Sequence, residues 1–168
     1  MISKATLIHV TEITNLVNSA YRGETSKKGW TTEANILEGT RITETELIEI
    51  LLDTNNTLLI YQENNKIIGT VLLTNKKTKL YLGMLTISPE LQNSGLGKKL
   101  LQAAEDFAHS VHLPKIVMTV ITIREELIAW YKRNGYLDTG EREPFPANFD
   151  DVVLHSEPLT FMVLEKLL

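Results

Sequence analysis

Cysteine is absent from the 168 residues. That excludes a disulfide framework, a Cys-ligated zinc site, an iron–sulfur cluster and a cysteine nucleophile. An excess of basic residues is missing too: 17 Lys+Arg stand against 21 Asp+Glu, a net charge of −4. This argues against a general nucleic-acid coat, because neutralising phosphates needs a basic surface. It is compatible with a cationic small substrate and is equally an ordinary value for solubility. No apolar run approaches the ~18 residues that a membrane helix requires. The N-terminus meets Lys4, His9 and Glu12, a poor pattern for a signal peptide. There is no internal repeat, low-complexity tract or Pro/Gly/Ser linker. His9, His109 and His112 lie at no metal-ligand spacing, so no metal is expected. Length alone predicts roughly one domain, at ~150 residues per domain, spanning residues 1–168. The expectation is a soluble cytoplasmic domain with no partner membrane or nucleic acid.

What is present is an alternation of periods. Ile13, Leu16, Val17 and Ala20 fall at helical spacing up to Tyr21. Arg22–Arg41 then loses periodicity and reads as a long loop or broken helix, a feature that is usually functional in a compact domain. Thr43 with Glu46 is a capping box opening a helix through Leu52. Three strand-like runs follow, Thr57–Gln62, Lys66–Thr74 and Lys79–Ser88, joined by polar turns. Leu96, Leu100, Leu101, Ala104, Phe107, Ala108 and Val111 form the stripe of a helix that Pro114 closes. Lys115–Ile123 is a strand, Arg124–Asn134 a helix capped by Gly135, and Tyr136–Glu141 and Thr160–Lys166 are late strands. Hairpins inside a mixed order predict an α/β fold whose sheet is partly antiparallel. It is neither a regular doubly wound fold nor a β-barrel.

The most informative stretch is Tyr81–Leu101. A buried strand ends at Ser88-Pro89, and Gln92-Asn93-Ser94-Gly95-Leu96-Gly97 opens the amphipathic helix. Glycine there lets backbone N–H groups approach a ligand closely. Those groups sit at the positive end of the helix dipole and suit phosphate or pyrophosphate. Lys98 and Lys99 add charge where a helix alone prefers acids. A P-loop is excluded, because Gly97-Lys98 is followed by Lys99 and no glycine stands five residues earlier. A dinucleotide fingerprint lacks its third glycine, since Leu100 occupies that place. A glycine-rich helix start without a ligand is the bland alternative.

Gln92-x-x-Gly95-x-Gly97 resembles the Q/R-x-x-G-x-G/A motif of the GNAT superfamily of acetyl-CoA-dependent N-acetyltransferases. The preceding Ile87–Leu91 and the later Tyr131-Lys132-Arg133-Asn134-Gly135-Tyr136 extend the likeness, and the element order matches over the full length. The resemblance implies a GNAT fold with about four helices around a mixed sheet in which two central strands splay. It implies acetyl-CoA as co-substrate, held by Gln92, Asn93, Ser94, Gly95, Leu96, Gly97 and Lys98, with its pantetheine arm paired to Leu85, Thr86 and Ile87. A backbone N–H near Leu85 would stabilise the oxyanion, a donor whose loss typically costs about 10²–10³ in rate. Transfer would be by direct attack of the amine, without an enzyme thioester. Tyr131 would be the general acid toward the leaving thiolate. On spacing alone Tyr131 reads as a core aromatic on the Leu127/Ile128 face.

An alkyl ammonium, with a pKa near ~10.4, must lose a proton before attack. Glu24, Glu33 and His155 are the candidate bases, with Glu33 placed among the catalytic residues. The strand before the glycine loop, Lys79–Met84, carries no acid. Acceptor specificity falls to Tyr21–Arg41 and Arg142–Leu159, with Tyr21, Arg22, Glu24, Trp30, Glu33 and Phe145 as substrate-binding candidates. Trp30 either walls the acceptor pocket or lids the core. Arg22 either binds an acceptor carboxylate or pairs with Glu24. Phe149 joins Phe145 in flanking Pro146. A small-molecule amine is the preferred acceptor over a protein. The rival reading is a GNAT-like module that binds CoA without efficient transfer. Either a monomer or a homodimer is expected, the latter pairing through the apolar run at Thr160–Leu168, which reads equally well as a core strand.

Overall fold

The computed structural model describes residues 1–35, 37–145, 152–153 and 159–168. His155, Phe149 and Pro146 lie outside them. The helices are α1 (Val10–Tyr21), α2 (Gly23–Ser26), α3 (Glu44–Leu52), α4 (Leu96–Ser110) and α5 (Glu125–Arg133). The strands are β1 (Ile2–Lys4), β2 (Leu37–Glu38), β3 (Asn56–Glu63), β4 (Lys66–Asn75), β5 (Leu80–Ile87), β6 (Lys115–Ile121), β7 (Leu137–Pro144), β8 (Val152–Val153) and β9 (Thr160–Leu167). The expected broken region between Arg22 and Arg41 therefore contains the single-turn α2 and the short β2. The helix count rises from about four to five through α2 alone.

Seven strands form one sheet in the order β1-β3-β4-β5-β6-β9-β7, and β2 and β8 form a separate antiparallel pair. The β5–β6 pair is parallel; the others in the large sheet are antiparallel. Each face carries a core. On one, Leu96, Leu100, Leu101, Ala104 and Ala108 of α4 and Ile128 and Tyr131 of α5 pack on Leu73, Leu80 and Leu82. On the other, Val10, Ile13, Leu16 and Val17 of α1 and Leu47 of α3 pack on Leu58, Ile60 and Ile67. The stripes that predicted these helices are the buried stripes. The Thr43 cap forms as expected: its hydroxyl accepts from the Glu46 N–H at 3.2 Å and donates to the Glu46 carboxylate at 3.0 Å.

β5 is where the sheet becomes useful. Against β4 its register passes from Thr70↔Thr86 to Leu72↔Gly83, so β5 spends one residue more than β4. This is a β-bulge, which bends a strand and flips its alternation. Leu80 and Leu82 face α4, whereas Met84 enters the α1 core; beyond the bulge Leu85 and Ile87 are back on the α4 face. Met84 has a φ of 47°, a conformation costing an L-residue roughly 1–2 kcal/mol. Toward β6 the ladder holds only at Leu80↔Ile116 and Tyr81↔Val117. From Leu82 onward that edge of β5 has no strand partner.

The late strand Thr160–Leu167 is internal. It pairs with β6 from Lys115↔Leu167 to Ile121↔Phe161 on one side and with β7 on the other. A dimer cannot pair through it, because both of its edges are filled. β7 runs on to Pro144, beyond the strand end expected at Glu141; as an edge strand it tolerates proline.

A side-chain staple fixes the loop after α2 to the end of β5. The Gln92 amide donates to Thr31 Oγ1 (2.6 Å) and to the Ile87 carbonyl (3.2 Å), and its oxygen accepts from the Thr31 N–H (3.1 Å). Gly29 is required beneath it: a Cβ there would lie 2.4 Å from Gln92 Oε1. Gln92→Ala removes all three bonds. It should lower stability by about 1–3 kcal/mol and speed tryptic cleavage at the exposed Lys27 and Lys28. An unchanged tryptic half-life would show that the loop is held elsewhere.

Candidate active site

Two cavities open where β5 and β6 diverge, and they share a wall made by Tyr21, Leu85, Leu127 and Tyr131. The first, about 390 Å³, is bounded by Leu85 and Ile87 of β5, by the run Leu91–Lys98, by Trp30 and Thr31, and by Trp130, Arg133 and Asn134 of α5 and its end. The second, about 290 Å³, lies on the other side of that wall. It is bounded by Arg22, Glu33, Arg41, Arg124, by both diverging strands, and by Phe145 and Phe161.

The first cavity is built for an anion with a flat or narrow arm. Gly95 takes the left-handed conformation (φ 86°) as the N-cap of α4, and Asn93 does so before it (φ 67°). Gly95 has no side chain with which to cap the first turn. The N–H groups of Leu96, Gly97 and Lys98 consequently meet no acceptor among the described residues. They stand at the positive end of a 15-residue helix. Gly97 leaves room for the Trp130 ring, to which a Cβ would approach within 3.1 Å. Lys98 lines the cavity, but Lys99 does not: its ammonium stands over the Tyr61 ring at 5.8 Å. The expected pair of cations is therefore one, joined by Arg133, which the sequence reading missed. These features fit the pyrophosphate and pantetheine of acetyl-CoA.

Of the residues expected there, Asn93, Ser94, Gly95, Leu96, Gly97, Lys98, Leu85 and Ile87 line the cavity. Gln92 also lines it, but its amide is committed to Thr31 and Ile87. Thr86 does not: it is buried, and its hydroxyl donates to the Met84 carbonyl at 2.9 Å. The bulge turns it toward β4, where it pairs with Thr70.

Tyr131 sits at the shared wall. It is buried in the α4 core and lines both cavities. Its ring meets Trp130 at 5.1 Å and Tyr136 at 5.8 Å, edge to face. Burial first, and the neighbouring Tyr21 second, push its phenol well above the ordinary tyrosine value. Its hydroxyl makes no hydrogen bond with the described residues. Tyr21 stands opposite, its hydroxyl donating to the Leu85 carbonyl. Burial raises the Tyr21 phenol as well, with the Arg41 guanidinium opposing. Trp30 contacts Trp130 edge to face at 6.2 Å and borders the first cavity rather than the second.

The second cavity holds an ion network. Glu33 is 7% exposed and receives Arg22 Nε at 3.2 Å on one oxygen and Arg124 at 3.3 Å on the other. Arg22 therefore pairs with Glu33, not with Glu24. Glu24 lies outside both cavities: its side chain is 89% exposed and binds Lys27 at 2.9 Å. The chain leaves α1 in extended conformation at Arg22 (φ −126°), which separates the two. Arg124 also donates to the Thr31 carbonyl at 2.5 Å. It is the N-cap of α5, a position where a cation opposes the helix dipole. That local conflict was the available sequence signal for it. Arg41 places its guanidinium 5.8 Å from the Tyr21 ring centroid. Asn18 of α1 fixes the backbone beneath it, accepting from the N–H groups of Arg41 (2.7 Å) and Ile42 (3.0 Å). Phe145 packs on Phe161 at 5.2 Å and closes the far side.

Among the described residues no cluster of His, Asp or Glu could hold a metal ion, and no helix is long and apolar enough to cross a membrane. The model of the Acetyltransferase (GNAT) family matches residues 11–136. A comparison with curated proteins gives no match. Among solved structures, a ribosomal-protein-alanine N-acetyltransferase from Brucella melitensis superposes with a TM-score of 0.73 at 15% identity, covering 100% of this chain and 99% of that one. A spermidine N-acetyltransferase chimera from Vibrio cholerae gives 0.70 at 17%, with 99% and 95% covered. A Bacillus anthracis acetyltransferase in complex with acetyl coenzyme A gives 0.60 at 18%, with 71% and 66% covered. With the family model matching most of its length, the chain belongs to the GNAT family and is an N-acetyltransferase.

Proposed function

We propose that the protein transfers an acetyl group from acetyl-CoA to the primary amine of a small molecule, by direct attack with both substrates bound. The observation that carries this reading is the meeting of the two cavities at Tyr21, Leu85 and Tyr131. A chain without cysteine accords with a route that has no enzyme thioester.

Acetyl-CoA, when bound, supplies the activated acetyl group. The residues have separate tasks. The first turn of α4, with Lys98 and Arg133, takes the anionic end. The unpaired edge of β5 at Leu85–Ile87 takes the amide-bearing arm and offers its N–H groups to oxygen charge. Tyr21 holds the Leu85 carbonyl, which fixes that edge. The acceptor nitrogen bonds to the acetyl carbon as the C–S bond breaks. Tyr131 gives its proton to the departing sulfur, and the proton shed by the amine passes to water and restores the phenol. Glu33 is not the base in this scheme, because both of its oxygens are occupied by guanidinium donors. It is a positioning residue for Arg22 and Arg124.

Tyr131→Phe should lower kcat/KM by about 10²–10⁴-fold, the usual worth of a general acid, while calorimetry gives an unchanged acetyl-CoA affinity. Unchanged turnover would remove Tyr131 from the mechanism. The raised phenol stays protonated through and beyond neutrality, so kcat should show no alkaline fall up to about pH 10, the ordinary phenol value. A fall centred near ~8.5 would assign the proton to another group. Gly97→Ala should weaken acetyl-CoA binding about tenfold, or ~1.4 kcal/mol, through displacement of Trp130. Equal affinity with a native spectrum would place the arm elsewhere.

A further inference from the structure

Among the described residues, the second cavity is lined by three guanidinium groups and one carboxylate. Arg22, Arg41 and Arg124 line it, and Glu33 is the acidic residue among the described residues that does so. A guanidinium is a planar, charged fork of hydrogen-bond donors. Glu33 is fully taken by Arg22 and Arg124. Arg41 is different: no carboxylate pairs with it among the described residues, and it rests against the face of Tyr21. The ring and the Asn18 clamp orient it without neutralising it.

We infer that the acceptor is a small primary amine that also bears a carboxylate, with the chemistry of an amino acid, and that Arg41 is the group that receives the carboxylate. The inference rests on the acetyl-transfer reading above and narrows its substrate. A guanidinium fork matches a carboxylate in two parallel hydrogen bonds. A polyamine would set a further cation beside Arg41 and offer it no acceptor. The volume of about 290 Å³ is at the small end of ligand pockets, which span about 300–1,000 Å³. The same cations also act on the nucleophile. Neighbouring positive charge disfavours an ammonium and lowers its pKa, so the amine reaches the wall neutral without a dedicated carboxylate base. That accounts for a site in which the buried acid is already engaged.

The test compares thiol release from acetyl-CoA for matched acceptors: amino acids, their carboxamides and methyl esters, the corresponding decarboxylated amines, phosphoethanolamine and spermidine. The wild-type protein should favour a free acid over its amide by at least about tenfold in kcat/KM. Arg41→Gln should abolish that preference through KM rather than kcat, and Arg41→Lys should restore part of it. Amides or spermidine used as well as the acids would overturn the inference and leave acetyl transfer standing. So would a preference for phosphoethanolamine, or an Arg41→Gln protein that keeps the selectivity. A protein that binds acetyl-CoA yet acetylates nothing in the set would overturn the small-amine reading and this inference with it. Should Arg41→Gln fail to fold, the acid-to-amide ratio of the wild type still decides.

Discussion

β5 and β6 cannot stay paired, and the rest of the site follows from that. One extra residue at the bulge bends β5 away after Tyr81. The bend exposes backbone groups that a sheet would otherwise saturate, and buried backbone groups left without partners are costly. The opening borders both cavities, so these groups face open space rather than packed core. Met84 is the residue that bears the backbone strain, and its side chain is 7% exposed in the α1 core. Burial of a long apolar side chain is worth about 1.5–3 kcal/mol, enough to offset the unfavourable φ.

The Arg22–Glu33–Arg124 network plays the complementary part. It joins the end of α1, the loop after α2 and the start of α5, three places that no strand connects. Removing one member of a buried ion pair typically costs about 3–5 kcal/mol, because its partner is left charged and dry. The network is therefore poor material for proton transfer and good material for holding shape. Gln92 works the same way on the cofactor side, using neutral hydrogen bonds. Both ties converge on Thr31, so one short loop is pinned to both cavities.

Much of the fold was legible because it is written in local periods. The α4 stripe, the Thr43 cap and the two hairpins all rest on neighbours within a few residues. The glycine motif was legible for the same reason: space and unpaired N–H groups are local properties. What escaped was set by distant partners. The bulge leaves no mark in Tyr81–Ile87, which reads as an ordinary strand. Arg22 has Glu24 beside it in sequence but Glu33 beside it in space. Arg41 and Arg124 gain meaning only when α1 and α5 bring them to one chamber. Gln92 matches a motif for cofactor contact, and only its neighbours in the fold reveal that its amide is already engaged.

The chain has two tryptophans, Trp30 and Trp130, and both border the cofactor cavity in edge-to-face contact. Its indole emission therefore originates wholly from that one place. The protein carries an intrinsic optical gauge of that cavity, with no tryptophan background from elsewhere in the fold. Whatever enters or leaves it can be followed in real time on the unlabelled molecule.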